Sequence, residues 1–598
     1  MEPNVQIERR ESGELILTSG YALDSLPKSL AQIMVERVQA HPSRSIICEK
    51  SSTGEFESLS YGDAHLRAMG VATHLLAQGA NEQTPLMILS GASRAHFIVQ
   101  LGALYARVPV VPVSISYTTV EPAFSKFRAV FDKTQPKYLF AESFDLHEEA
   151  LNASDISLND VSLWSVARSE IGAREITELD SLLALVDEAA VEASIQAITH
   201  NTVAKYMFTS GSTGMPKGVI HNHGMMCALI AAQKMLREIS DDLAPVVLDW
   251  MPWSHVGAGQ MRLFGTIAQG GTIYLDDGKP TAADYPKTLA NLRKVSITGY
   301  AGAPLGWSML VAALEGDEAL AEQFFANLQT LQYGSAAMPT STYERLQTLL
   351  VKYQGARKTM STSLMSTEVA LGLSRYWPCE DQTVVGLPMP GSCFKLVPVA
   401  DRYEIRAKSL GVTPGYINDA EKTRDAFDEE GFFRMGDAVT FADPERPEAG
   451  LRFAGRIAEQ FKMTTGAWVS AGTLRAQLVA ALAPIARDVV IGGLNQSYIA
   501  IMIWLNEPQE VDAGPADRAL VDDQTLEEIR ILLRKHNDAN PASSQRVDRF
   551  LIMAEPANIG AGEVTDKGYV NQGAVLSRRS QLLDRLYDES LTEGVYPV

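Results

Sequence analysis

With 598 residues the chain is too long for one compact core and predicts about four domain-sized units. Hydrophobic residues at 46% and charged residues at 21% are the balance expected of a soluble globular protein, and no apolar run reaches the ~18 residues that a membrane span needs. A net charge of −20 argues against nucleic acid and anionic membrane surfaces as partners.

The first residues, M-E-P-N-V-Q-I-E-R-R, are polar and carry no apolar leader, and 1–30 reads as an arm. L-D-S-L at 23–26 has the look of a carrier-protein attachment site, but too few residues precede Ser25 to build such a domain, so Ser25 reads as a helix N-cap. Helical patterning covers 30–38, and 46–48 and 59–61 read as strands. The run 86–89 is a buried strand, Phe97, Ile98, Leu101, Leu104 and Tyr105 share one helical face, and 108–113 is strand again, a β-α-β unit. The stretch 155–193 reads as largely helical and acidic. Strand runs at 246–250, 271–275, 296–300 and 328–333 alternate with helical stretches, which predicts α/β layers with largely parallel sheets. From Phe394 short strands and turns, such as 394–397 and 403–407, predict a β-rich subdomain. Beyond Arg456 come a helix at 474–482, strands at 489–491 and 498–505, and a helix at 526–536. The expected fold class is therefore α/β: a large N-terminal domain, 1–457, of layered α/β subdomains plus a β-rich one, and a small α+β C-terminal domain, 458–598. Four cysteines without CxxC spacing fit a reducing, cytosolic compartment.

The chemistry concentrates first at 206–221, Y-M-F-T-S-G-S-T-G-M-P-K-G-V-I-H. Two short apolar runs flank a loop of Thr209, Ser210, Gly211, Ser212, Thr213 and Gly214 that ends near Lys217. Small residues let backbone N–H groups converge, hydroxyls add donors, and the lysine adds charge, which is the equipment for holding a polyphosphate. A flexible Gly/Ser linker has a similar composition. The Walker pattern is absent, since Gly rather than Ser or Thr follows Lys217.

The order T-S-G-S-T-G-x-P-K-G resembles the ATP-binding signature of the adenylate-forming superfamily: acyl-CoA synthetases, peptide-synthetase adenylation domains and luciferases. Further motifs follow in the family's order. D-W-M-P-W-S-H-V-G at 249–257 matches the segment that gates the acyl carboxylate, which implies His255 as gate and Val256 beside it. Read alone, His255 is as readily a partly buried core histidine, and His221 with His223 make too few ligands for a metal site. Gly334, Ser335 and Ala336 match the adenine-contacting segment, where small residues allow a flat ring to approach. In L-M-S-T-E at 364–368, Thr367 is implied as a phosphate contact and Glu368 as the Mg²⁺ ligand, while Leu364 and Met365 depart from the family's aromatic-Gly. G-F-F-R-M-G-D at 431–437 implies Asp437 as acceptor for the ribose hydroxyls, with Met435 standing where the family has Thr. G-R-I-A-E-Q-F-K at 455–462 implies Arg456 on ribose or phosphate, Ala458 at the pivot of a mobile C-terminal domain, and Lys462 with Gly466 on the loop that faces CoA. G-E-V-T-D-K-G at 562–568 implies Lys567 as the catalytic lysine.

Across nearly the whole chain the resemblance is to feruloyl-CoA synthases, as in V-P-V-V-P-V-S at 108–114 and F-K-M-T-T-G-A-W-V-S at 461–470. It implies an ATP- and Mg²⁺-dependent carboxylate–CoA ligase with aromatic or hydroxycinnamic acids as the leading substrates, and ATP, CoA and the acid as its small-molecule partners. It leaves the oligomeric state open, a homodimer included. A ligase for a smaller or aliphatic acid, transfer of the acyl-AMP to a separate carrier protein, and a catalytically silent nucleotide sensor are the other readings. Met365 is expected to shorten the pocket beneath the carboxylate, with Gly302 and its small neighbours giving space on the opposite wall. Hydroxycinnamates then bind in a shifted pose or are not the best substrates. The alternative is that Met365 packs in the core.

Overall fold

The computed structural model describes residues 1–23, 25–166, 174–210, 215–237, 244–483, 485–506, 510–511, 519–558, 561–564, 570–588, 590 and 594–598. Two large sheets build the N-terminal part. One has fifteen strands. Its parallel half joins Met360–Leu364, Thr330–Tyr333, Gly299–Gly302, Val246–Asp249, Thr272–Leu275 and Ser45–Lys50 in that spatial order. Its antiparallel half holds Cys393–Val399, Arg402–Lys408, Phe433–Phe441 and Leu451–Arg456, the β-rich subdomain. The second sheet has seven strands, parallel except for the hairpin of Val203–Ser210 with Pro216–Asn222.

Helices Leu30–Ala40, Tyr61–Ala77, Arg94–Tyr105 and Leu263–Ala268 pack against strands of both sheets in one apolar cluster. Such a shared helical layer must be apolar nearly all round, and all ten residues from His96 to Tyr105 are buried. This is the layered α/β architecture read from the sequence.

Three local expectations are corrected. The N-terminal arm is two strands, Val5–Arg9 and Leu15–Ser19, and Leu15–Ser19 pairs with Cys393–Val399. The cap of the first helix is Ser29, which accepts from Gln32 N at 3.0 Å, not Ser25. The stretch read as largely helical contains the strand Ser162–Ser165 and the edge strand Ile176–Glu178 before its helix Glu188–Ala197. Strands of three or four residues are too short to show a period of two.

After residue 460 the packing becomes self-contained. Ala486–Gly492, Ile499–Leu505, Val547–Ile552 and Tyr596–Pro597 form a small sheet. Ile499, Ile501 and Ile503 face helices Ala471–Leu482 and Asp523–Ala539, while Ala500, Met502 and Trp504 face helices Gln572–Arg578 and Ser580–Tyr587. That alternation is the two-residue period of a strand covered on both faces. All four cysteines are free thiols. No helix among the described residues is long and apolar enough to cross a membrane.

Candidate active site

The hairpin at 203–222 sets Thr209 opposite Lys217 and Ser210 opposite Pro216. Gly211, Ser212, Thr213 and Gly214 lie outside the described residues. Gly218 is glycine for a steric reason: a Cβ there would sit 2.5 Å from Ile417 and 2.9 Å from the Phe208 ring. Its absence lets Ile417 N donate to Gly218 O at 2.9 Å and Tyr416 bridge Val219. Tyr416 in turn donates its hydroxyl to Glu368 Oε1 at 3.1 Å, and Thr413 N donates to the Glu368 carbonyl at 2.8 Å. Glu368 is thereby tied to the hairpin that carries Lys217. Thr367 is half-buried next to it.

Asp437 stands directly across an antiparallel pair from Arg456. Arg456 Nε lies 3.3 Å from Asp437 Oδ1, with the Asp437 side chain 3% exposed. That contact is ionic without an aligned hydrogen bond, so Oδ1 is a buried acceptor with no hydrogen-bond donor among the described residues. Burial pushes the Asp437 carboxyl up to about 6; Arg456 pulls it down, and the nearby carboxylates of Glu368 and Glu459 push it up. A buried acceptor left open is costly unless a ligand completes it.

Parallel strands deliver the remaining groups at their carboxyl ends, where α/β sheets bind ligands. Gly334, Ser335 and Ala336 follow Thr330–Tyr333, and Ser335 adopts φ +74°. A non-glycine residue in that region is strained and is retained where the surroundings over-determine it. Nothing lies within 4 Å of where a Cβ on Gly334 would point, which leaves that face open.

His255 is half-buried after Val246–Asp249, and its Nδ1 accepts from Gly257 N at 3.1 Å. Val256 beside it opens a π-helical turn, Gly257–Arg262. A Cβ on Gly259 would fall 1.9 Å from the Trp253 carbonyl, so glycine is required there. Two buried groups hold this turn from behind. Lys205 Nζ donates to Gly259 O at 2.7 Å, and His221 Nδ1 pairs with Gln260 Oε1 at 2.9 Å. Desolvation lowers Lys205 to about 7 and His221 to about 4. His223 is a core group as well, its Nδ1 accepting from Leu30 N at 3.2 Å.

The departures at 364–365 separate. Leu364 packs into the β-rich core with Val369 and Leu373. Met365 packs over Gly372 and joins Met261 in the cluster around helix His223–Arg237. A Cβ on Gly302 would face Trp307 and Tyr300, whereas its neighbour Ala301 lines a cavity with Met261 and Arg262. Small-residue space on that wall therefore comes from Ala301.

Lys462 and Gly466 occupy an exposed hairpin of the C-terminal part, with Lys462 opposite Trp468. Ala458 sits in the short turn Ile457–Glu459 that precedes it. Lys567 lies outside the described residues, but the base of its loop is defined: Val564 bridges Val570, and the buried Glu563 pairs with Arg579 at 2.9 Å. A Cβ on Gly562 would be 4.0 Å from Lys126 Nζ, so this loop starts against the large domain. Tyr416, Lys205 and Arg579 carry no motif and were not legible in the sequence.

Residues 34–417 match the model of the AMP-binding enzyme family. The chain is 24% identical over 397 residues to the 3-[(3aS,4S,7aS)-7a-methyl-1,5-dioxo-octahydro-1H-inden-4-yl]propanoyl:CoA ligase of Rhodococcus jostii, covering 64% of this chain and 72% of that one. It is 23% identical over 588 residues to the carboxylic acid reductase of Mycobacterium marinum, covering 89% of this chain but only 47% of that protein, so it spans about half the reductase. Among solved structures, the adenylation domain of the Segniliparus rugosus carboxylic acid reductase, in complex with AMP and a co-purified carboxylic acid, superposes with a TM-score of 0.71 at 18% identity over 95% of both chains. With the family model spanning well over half of its length, the chain belongs to the AMP-binding, adenylate-forming enzymes.

Proposed function

We propose that the protein is an ATP-dependent carboxylate–CoA ligase. In the first half-reaction the acid's carboxylate oxygen attacks the α-phosphorus of ATP, the bond to the bridging oxygen breaks, and pyrophosphate leaves. Lys217 and the loop 209–214 hold the leaving phosphates, Thr367 contacts phosphate, and Gly334 to Ala336 receive the adenine. Asp437 accepts both ribose hydroxyls, with Arg456 on ribose or phosphate. The observation that carries this reading is the open, buried Asp437 acceptor facing Arg456. Lys567 offsets charge between the carboxylate and the phosphate. Catalysis of this kind is positioning and electrostatics.

Glu368 fits a magnesium ion. One of its oxygens takes the Tyr416 hydrogen bond, and a hard cation that leans on substrate phosphates and water needs no more than one or two carboxylates. No cluster of three His, Cys, Asp or Glu ligands occurs among the described residues, so the nucleotide supplies the remaining donors. Bound there, the ion neutralises phosphate charge.

In the second half-reaction the domain 458–598 rotates about Ala458. Lys567 leaves, the Lys462–Gly466 hairpin faces the site, and the CoA thiol displaces AMP from the acyl carbon. His255 and Val256 gate the acyl channel, which Met365 borders. Aromatic and hydroxycinnamic acids are the leading substrates by resemblance, with smaller or aliphatic acids the alternative that Met365 favours. The enzyme is placed in the cytoplasm, in keeping with its free thiols. Delivery to a carrier protein is the second reading, favoured by the match along 89% of this chain to a carboxylic acid reductase. Pyrophosphate release over a panel of acids, followed by mass analysis with and without CoA, separates the two. Acyl-CoA as product supports the ligase; acyl-AMP that persists with CoA present rejects it.

A further inference from the structure

Between helix His223–Arg237 and the parallel sheet lies a cavity of about 60 Å³, room for roughly four water-sized groups. Its floor is the sheet face that carries Ala301, Thr330 and Gln332; the alternate residues Leu331 and Tyr333 turn into the core behind. Its roof is Gln233 together with Met261 and Arg262 of the π-helical turn. The cavity thus begins one residue from Gly302 and a few residues from His255, along the wall that the acid is read to follow.

The lining sets buried amide groups among apolar residues such as Val247, Leu248 and Met261, where an acyl channel carries only a few polar groups that fix orientation. Gln233 is 7% exposed, and its Oε1 has no hydrogen-bond partner among the described residues; Gln269 Oε1, also on the lining, is the same. Buried amide groups left open mark a place for a hydrogen-bonding ligand atom. Among the described residues the cavity offers no spare positive charge: the one cation on its lining, Arg262, is committed to the buried Asp249 at 2.7 Å, and Asp276 lies close enough to act on Asp249 as a second carboxylate. A second substrate carboxylate would be desolvated here without a counter-ion. A plain alkyl or unsubstituted aryl end would leave the glutamines unpaired.

We propose that this cavity receives the far end of the acid and selects a neutral hydroxyl or carbonyl group there, with Gln233 and Gln269 as the specificity-determining residues. The assignment rests on the acid-activating reading above. It is tested by acid-dependent pyrophosphate release of the full chain on matched acids: cinnamate, 4-hydroxycinnamate and 4-carboxycinnamate, and hexanoate with 6-hydroxyhexanoate. In the wild type the hydroxylated member of each pair should have the higher kcat/KM by about tenfold or more, and 4-carboxycinnamate the lowest. Gln233→Leu and Gln269→Leu should each collapse the hydroxyl preference toward unity. Gln269 is only half-buried, so Gln269→Leu keeps the test decisive if Gln233→Leu does not fold. Equal use of paired acids by the wild type, preference for the dicarboxylate, or a ratio unmoved in folded variants overturns the cavity assignment while leaving acid activation intact. No pyrophosphate release with any acid overturns both.

Discussion

Asp437 concentrates the tension between fold and function in one side chain. Its folded carboxyl is raised by burial from 3.8 to about 6, so the fold binds a proton that the unfolded chain has already lost. That contribution to stability is complete below about pH 3.8 and is lost as pH rises through 6, a difference of about 3 kcal/mol. Asp437→Asn should therefore melt higher than wild type at pH 7.5, with the gain vanishing below pH 4 in thermal unfolding. For nucleotide the sign reverses, because the ionised form accepts the hydroxyls. The wild-type kcat/KM for ATP should fall as pH drops through 6. Asp437→Ala should raise the ATP requirement far more than the acid requirement, at about 1.5–3 kcal/mol per lost bond; an unchanged ATP requirement would mean the residue is misassigned. Met365 is the second residue to test. It packs against the same apolar cluster as Met261, which lines the cavity. Met365→Gly should shift the kcat/KM ratio of ferulate to benzoate and to a short aliphatic acid by roughly tenfold toward ferulate. An unchanged ranking would leave Met365 as core packing.

The π-helical turn Gly257–Arg262 joins the proposed gate at His255 to the cavity, and Lys205 holds it to the strand that enters the proposed phosphate loop. Desolvation lowers the Lys205 pKa from 10.5 to about 7. Its charge therefore burdens the fold below pH 7, and that burden is relieved as pH rises from 7 toward 10.5. Nearby His96 and His221 are pushed to about 4 and stay neutral, so neither adds charge in that range. Lys205→Met should be more thermostable than wild type at pH 6, with the advantage shrinking at pH 9. It should also lose kcat/KM for the acid more than for ATP, since the turn loses its anchor while Thr209 and Lys217 keep their register. Equal losses for both substrates would show that Lys205 serves the fold alone. Nothing in the string V-A-K-Y-M-F signals this lysine, because its partner is a carbonyl 54 residues away.

At the scale of the molecule, the exposed Lys462 hairpin and the Lys567 loop, whose base at Gly562 rests against Lys126, belong to one self-contained domain. Lys567→Ala should slow acyl-AMP formation by orders of magnitude yet still convert supplied acyl-AMP and CoA to thioester, whereas Lys462→Ala should show the reverse. A folded Lys567→Ala protein equally damaged in both steps would reject rotation between the half-reactions. What the sequence determined by itself was whatever a contiguous string can hold. The proposed phosphate loop, T-E at 367–368 and Asp437 stand in short runs that a contiguous motif can mark, and the alternation of long apolar segments set the α/β layers. What only the tertiary structure decided depends on partners far apart along the chain. Residues 15–19 become a strand because 393–396 offer them an edge. Glu368 is fixed by Tyr416, and the proposed acid cavity is assembled from two helices, a π-helical turn and three strands. Hydrogen bonding and burial act through space, and a local pattern of hydropathy does not record which distant groups will supply them.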